Sequence, residues 1–95
     1  MRKPTYLLRL YVSRSADRSI RAITNLQVLC EQYLRGRYVL EVVDVSNHAD
    51  LARADQIVAL PTLIKRRPLP FHRLVGDMSD PGKVLAGMGL EMRAR

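Results

Sequence analysis

Ile57-Val58-Ala59-Leu60-Pro61-Thr62-Leu63-Ile64 is the stretch on which the fold of this chain turns. Pro61 has no N–H to give, and its ring collides with the preceding turn of a helix. It can therefore neither sit inside a regular helix nor donate to a central ladder. Upstream of it, local preference leaves two choices open. A short helix over 49–54, capped by Asn47, either continues through 57–60 or stops and gives way to a strand there. Downstream, Leu63 and Ile64 have strand character and run into a basic turn, Lys65-Arg66-Arg67-Pro68; residues 71–76 read as one more short strand.

Towards the N-terminus the pattern is firmer. Thr5-Tyr6-Leu7-Leu8-Arg9-Leu10-Tyr11-Val12 is short, apolar and rich in residues that suit a pleated surface, with one charge near its middle, which predicts a largely buried first strand. Ser15 and Asp17 are candidate N-caps for a helix whose apolar stripe is Ile20, Ile23, Leu26, Leu29, Cys30, Tyr33 and Leu34, ending near Gly36 as a left-handed cap. Tyr38-Val39-Leu40-Glu41-Val42-Val43-Asp44-Val45 returns to strand. A β-α-β unit with a long crossover helix implies two parallel strands joined right-handedly. At the far end Pro81 suits the first turn of a last helix, with Ser79 or Asp80 as its cap and Val84, Leu85 and Met88 as its apolar face. Gly82, Gly87 and Gly89 weaken that helix, each by about 0.5–1 kcal/mol relative to alanine.

With 95 residues and 47% hydrophobic content, the expectation is one domain spanning 1–95 with an aliphatic core, since Phe71 is the only phenylalanine and tryptophan is absent. Sixteen Lys and Arg against nine Asp and Glu give a net charge of +7, concentrated in the acid-free stretches 2–14 and 65–73. That charge favours acidic partners or nucleic acid through long-range attraction, without choosing between them, and a solvated basic surface is the plainer explanation. Cys30 is the only cysteine, so no intrachain disulfide forms; nothing at the N-terminus reads as a cleavable apolar leader, and a reducing cytoplasm is the expected compartment. No apolar run reaches the roughly 20 residues of a membrane span, the strands being interrupted by Arg9, Glu41 and Asp44.

The element order is that of an α/β, thioredoxin-like β-α-β-α-β-β-α fold, and Ala59-Leu60-Pro61-Thr62-Leu63 resembles the segment that carries the cis-proline of that fold. Thioredoxins place a redox pair of cysteines between the first strand and first helix. Here that place holds Val12-Ser13-Arg14-Ser15-Ala16-Asp17, which excludes dithiol chemistry. Cys30 sits on the apolar stripe of the helix and reads as core. His48 and His72 lie apart with no Cys, Asp or Glu at ligand spacing, and Asp44, Asp55 and Asp77 each have a structural role open to them at a strand end, helix end or turn. No glycine-rich phosphate loop is present, and no enzyme or cofactor is expected. Nucleic-acid binding would draw on Lys65, Arg66, Arg67 and Arg73 for phosphates and on Tyr6 or Tyr11 for stacking, but these tyrosines are interleaved with aliphatics in core strands, which argues against it.

From Thr5 to about Leu90 the chain resembles the KaiB family. The resemblance is carried by Leu10-Tyr11-Val12, Ser19-Ile20-Arg21-Ala22, Val43-Asp44-Val45, Leu51-Ala52, Asp55-Gln56-Ile57-Val58-Ala59-Leu60-Pro61-Thr62-Leu63, Arg73-Leu74-Val75-Gly76-Asp77-Met78-Ser79-Asp80 and Lys83-Val84-Leu85. It implies a non-enzymatic clock or timer regulator that binds the KaiC ATPase ring and modulates its phosphorylation cycle. It also implies two folds of one sequence: a β-α-β-β-α-α-β ground state that assembles into dimers or tetramers, and a thioredoxin-like monomer that engages KaiC, with the change confined to the half that local preference leaves ambiguous. The expected partner residues are Arg21, Leu51, Ala52, Asp55, Gln56 and Arg73, and the expected fold-switch positions are Pro61, Pro68, Pro70, Gly87 and Gly89. Residues 13–18 lack the family's usual glycine and proline, Ala49 replaces a common proline, Gly89 stands where many members carry Asp, and the acidic C-terminal tail of cyanobacterial members is missing, which resembles a non-cyanobacterial member. A redox-inactive thioredoxin-like adaptor, or a sensor module recognising a histidine kinase, is the alternative expectation; a basic nucleic-acid-binding domain ranks third.

Overall fold

The computed structural model describes residues 3–90; Arg2 of the first basic stretch and the C-terminal end, where the acidic tail was sought, lie outside them. The element order is β1 Tyr6–Val12, α1 Asp17–Tyr33, β2 Tyr38–Asp44, α2 Ala49–Ala54, β3 Thr62–Arg67, β4 His72–Val75 and α3 Pro81–Gly87. This is the thioredoxin-like order, not the β-α-β-β-α-α-β alternative. The four strands form one sheet in the order β2-β1-β3-β4. β1 and β2 are parallel across the α1 crossover, and β3 and β4 add on antiparallel.

Alternation along β1 divides the protein into two layers. Tyr6, Leu8, Leu10 and Val12 point to one face, where they meet Ala22, Leu26, Leu29, Cys30 and Leu34 from α1 and its end, and Val84, Leu85 and Met88 from α3 and its end. The Tyr6 hydroxyl, buried in this layer, donates to the Met88 carbonyl at 3.1 Å. Tyr11 belongs to the other face, in a smaller cluster with Val43 and Ile64 against which Val45, Leu51, Ala52, Ile57 and Leu60 pack. Cys30 is fully buried, and burial, seconded by the Glu31 charge, pushes its thiol up to about 12.

Several local expectations are corrected. α1 begins after Ala16, and neither Ser15 nor Asp17 caps it; instead the buried Ser19 hydroxyl accepts from the Ser13 N–H at 3.0 Å. Ile20 is about half exposed, because the buried stripe runs through Ser19, Ala22, Leu26, Leu29 and Cys30. The helix stops at Tyr33, with Gly36 at φ +79° turning the chain into β2. The N-cap of α2 is His48, with no side-chain cap, in place of Asn47. Residues 57–60 are neither helix nor strand. The chain there is held by tertiary bonds, Thr62 Oγ1 donating to the Ala59 carbonyl at 2.6 Å and the Gly76 N–H to the Pro61 carbonyl at 3.0 Å, across a cis Leu60–Pro61 peptide. Lys65, Arg66 and Arg67 are strand residues of β3, not a turn. The expected caps of α3 resolve to Asp80, whose Oδ1 accepts from the Lys83 N–H at 3.2 Å.

Candidate partner-binding surface

α2 is six residues long and carries no side-chain cap, so by itself it has little claim to helicity. Two things hold it on the sheet. One is apolar: Leu51 and Ala52 pack against Tyr11, Val43 and Ile64. The other is its C-terminal turn, where the Ile57 N–H donates to the Ala52 carbonyl at 2.9 Å and the Gln56 N–H to the Arg53 carbonyl at 3.0 Å. These are the two bonds of a Schellman cap, and the left-handed residue that such a cap requires is Gln56, at φ 55°.

That turn delivers Asp55 into a set of polar side chains on the sheet. One Asp55 carboxylate oxygen accepts from Arg9 Nη1 of β1 at 3.2 Å and from Arg66 Nη2 of β3 at 2.6 Å. The Tyr11 hydroxyl lies between this carboxylate and the Leu51 carbonyl, 3.0 Å away, with a single proton to give. Arg9 is held from its other side by Glu41 of β2, Nε to Oε1 at 2.7 Å. Arg73 of β4 donates to the Asp55 carbonyl at 2.7 Å and to the Gln56 carbonyl at 3.3 Å. One short loop is thus tied directly to β1, β3 and β4, and through Arg9 to Glu41 of β2. Burial alone would raise the Asp55 pKa, but the hydrogen bonds from Tyr11 and Arg66 and the Arg66 charge outweigh it and hold the carboxyl below its ordinary range. Burial, followed by the bond to Asp55, raises the Tyr11 pKa.

Five of the six expected partner residues therefore come together, but not all as free surface. Leu51 and Ala52 are half-buried and turn inward, and Asp55 is spent on the internal network. Gln56 and Arg73 are exposed and joined. Arg21 stands apart on α1, which packs against the opposite face; its Nε lies 3.6 Å from the Asp77 carboxylate. What α2 and its following segment present outward is Asp50, Arg53 and Val58, the last 96% exposed. Arg9, Tyr11 and Arg66 complete this cluster and were not among the expected partner residues. Arg9 was the available signal, because a lone charge inside an apolar strand demands a partner.

At the position of a thioredoxin dithiol the chain runs from Val12 into α1 without a cysteine, and among the described residues no three of His, Cys, Asp and Glu stand close enough to share a metal ion. Tyr6 and Tyr11, the candidates for base stacking, are both buried. Fold and surface together define a thioredoxin-like α/β domain whose polar cluster is a set of structural ion pairs. The KaiB domain family model matches residues 9–90, and the chain belongs to the KaiB family. The circadian clock oscillator protein KaiB of Synechococcus elongatus is 44% identical over 88 residues, covering 93% of this chain and 86% of that protein. The protein of the same name from Trichodesmium erythraeum is 44% identical over 88 residues, covering 93% and 85%. Among solved structures, the N-terminal domain of Synechococcus elongatus SasA superposes with a TM-score of 0.72 at 19% identity, covering 90% of this chain and 83% of that one. The Drosophila thioredoxin Deadhead gives 0.74 at 15% identity, covering 92% and 81%. Both share the fold. No helix of the described residues is long and apolar enough to cross a membrane.

Proposed function

We propose that this protein is a non-enzymatic, cytoplasmic clock or timer regulator, a single domain that binds a KaiC-type ATPase ring and modulates its phosphorylation cycle. The observation that carries the reading is the 44% identity to circadian clock oscillator KaiB proteins across 93% of the chain. The surface assigned to the ring is the outer side of α2 with residues 56–60, where exposed Gln56 and Val58 stand on a loop pinned from below by Asp55 and bonded to exposed Arg73 of β4. Arg21, on the other layer, belongs to a separate contact or to none.

Fold switching is part of the proposal. It draws support from how thinly the second half is held: a six-residue helix without a side-chain cap, a four-residue β4, and a 57–60 segment whose own preferences choose neither helix nor strand. Pro61, Pro68, Pro70, Gly87 and Gly89 are the proposed hinge positions, and the resting form is a homo-oligomer. Size-exclusion chromatography with the KaiC homologue of the same organism, followed over hours with ATP and with ADP, tests this. A slowly growing co-eluting complex, weakened by Arg73→Glu and Val58→Glu, is expected. A chain that stays free under both nucleotides would move the reading to a redox-inactive adaptor, with a histidine kinase as the partner to try next.

A further inference from the structure

The strand register lays the second face of the sheet out in rows. Val43, Tyr11, Thr62 and Val75 form one row, Glu41, Arg9, Ile64 and Arg73 the next, and Val39, Leu7 and Arg67 the last. The α2 cluster covers the first of these and reaches Ile64 in the second. Nothing among the described residues covers the third. Leu7 and Val39 are exposed there, and Leu69 on the adjoining loop is 67% exposed. Pro4, Leu7, Arg67, Pro68 and Leu69 line a shallow groove at this end.

The charges at the same place are out of balance. A register shift between Leu7 and Leu8 lets β3 set two arginines against one stretch of β1: Arg66 reaches inward to Asp55, and Arg67 stands opposite Leu7. Arg9, Arg66, Arg67 and Arg73 share this face with two acids, Glu41 and Asp55. The Arg67 side chain makes no hydrogen bond or ion pair among the described residues, whereas Arg66 is held by Asp55. The free guanidinium of Arg67 is the one open to solvent, and an arginine fork suits a carboxylate. We propose that this uncovered half of the sheet is a second docking surface, distinct from the α2 end, for an acidic protein segment that seats an apolar side chain between Leu7 and Leu69 and places a carboxylate on Arg67. A protein segment is favoured over nucleic acid because Tyr6 and Tyr11 are buried and offer no stacking, and phosphates would leave the exposed leucines facing charge.

The probe is a synthetic extended peptide of alternating glutamate and leucine, titrated into the full-length chain with leucine and valine methyl resonances followed by NMR. Saturable shifts centred on Leu7, Val39 and Leu69 are expected. Arg67→Glu and Leu69→Ser should each weaken binding about tenfold, while Arg18→Glu, exposed in the first turn of α1 on the opposite layer, should change it less than about twofold. Both variants lie outside the Asp55 network, and unchanged circular dichroism confirms that they fold. No saturable binding, equal binding of a lysine-for-glutamate peptide, or equal weakening by Arg18→Glu would overturn the proposal. It would likewise fall if single-stranded DNA or phosphatidylglycerol vesicles moved the same methyl groups at lower concentration than the peptide.

Discussion

Removing the Asp55 carboxylate would leave Arg9 and Arg66 facing one another across β1 and β3 with the Tyr11 hydroxyl deprived of its main acceptor. Asp55→Asn is therefore expected to cost about 1.5–3 kcal/mol in urea unfolding, below the value of a fully buried pair because Arg66 keeps roughly a third of its side chain exposed. The sign of the pH dependence follows from the direction of the shift. Asp55 has a lowered pKa in the folded state, so its contribution is present above the unfolded value of about 4 and is lost as pH falls through the lowered folded value. The stability gap between the native chain and Asp55→Asn should thus be constant near neutrality and close below about pH 4; a gap that widened on acidification would contradict the assignment. In the sequence Arg9 announced that some partner existed. Which residue it was could not be read, because the carboxylate comes from 46 positions away and only the folded sheet brings the two together.

At the scale of elements, α2 and α3 end in the same way with different residues. In α3 the Leu90 N–H donates to the Leu85 carbonyl at 2.8 Å and the Gly89 N–H to the Ala86 carbonyl at 3.1 Å, with Gly89 at φ 76°. α2 repeats the motif with Gln56 in the left-handed position. Gln56→Gly should stabilise the chain by about 0.5–1 kcal/mol, and Gly89→Ala should destabilise it by about 1 kcal/mol. A β-carbon at Gly89 meets nothing within 4 Å, so the second cost is conformational rather than steric. Thermal unfolding of the two variants checks both; equal shifts of the same sign would remove the cap as the explanation. These ends also show why the two halves of the sequence differed in legibility. β1, α1 and β2 each carry a run long enough for its period to show, and Gly36 marks the break between helix and strand. Residues 57–60 carry no period, because they are held by single bonds, Ile57 to Ala52 and Ala59 to Thr62, with Pro61 just beyond bonded to Gly76, and not by a repeating ladder. Lys65–Arg67 read as a turn because charge suggested solvent, whereas Lys65 is 4% exposed within β3.

For the whole molecule, Cys30 offers an internal clock of opening. Fully buried and with its thiol pushed up to about 12, it should react with an alkylating reagent on the order of a thousandfold more slowly in the native chain than in denaturant, through opening of the α1 layer alone. Exchange confined to α2 and residues 55–60 on the other face should leave that rate untouched, so labelling that accelerates whenever α2 is loosened would argue against two separable layers. The central proposal is that the chain engages a KaiC-type ATPase ring through the α2 end of this thioredoxin-like sheet. Its most direct test is hydrogen–deuterium exchange of the chain alone and with the KaiC-type ring and ATP. Protection gained over residues 49–60, with the β3 and β4 amides keeping their antiparallel pattern, is the predicted result. Protection confined to α1 and α3, or none at all in a complex that co-elutes, would contradict it.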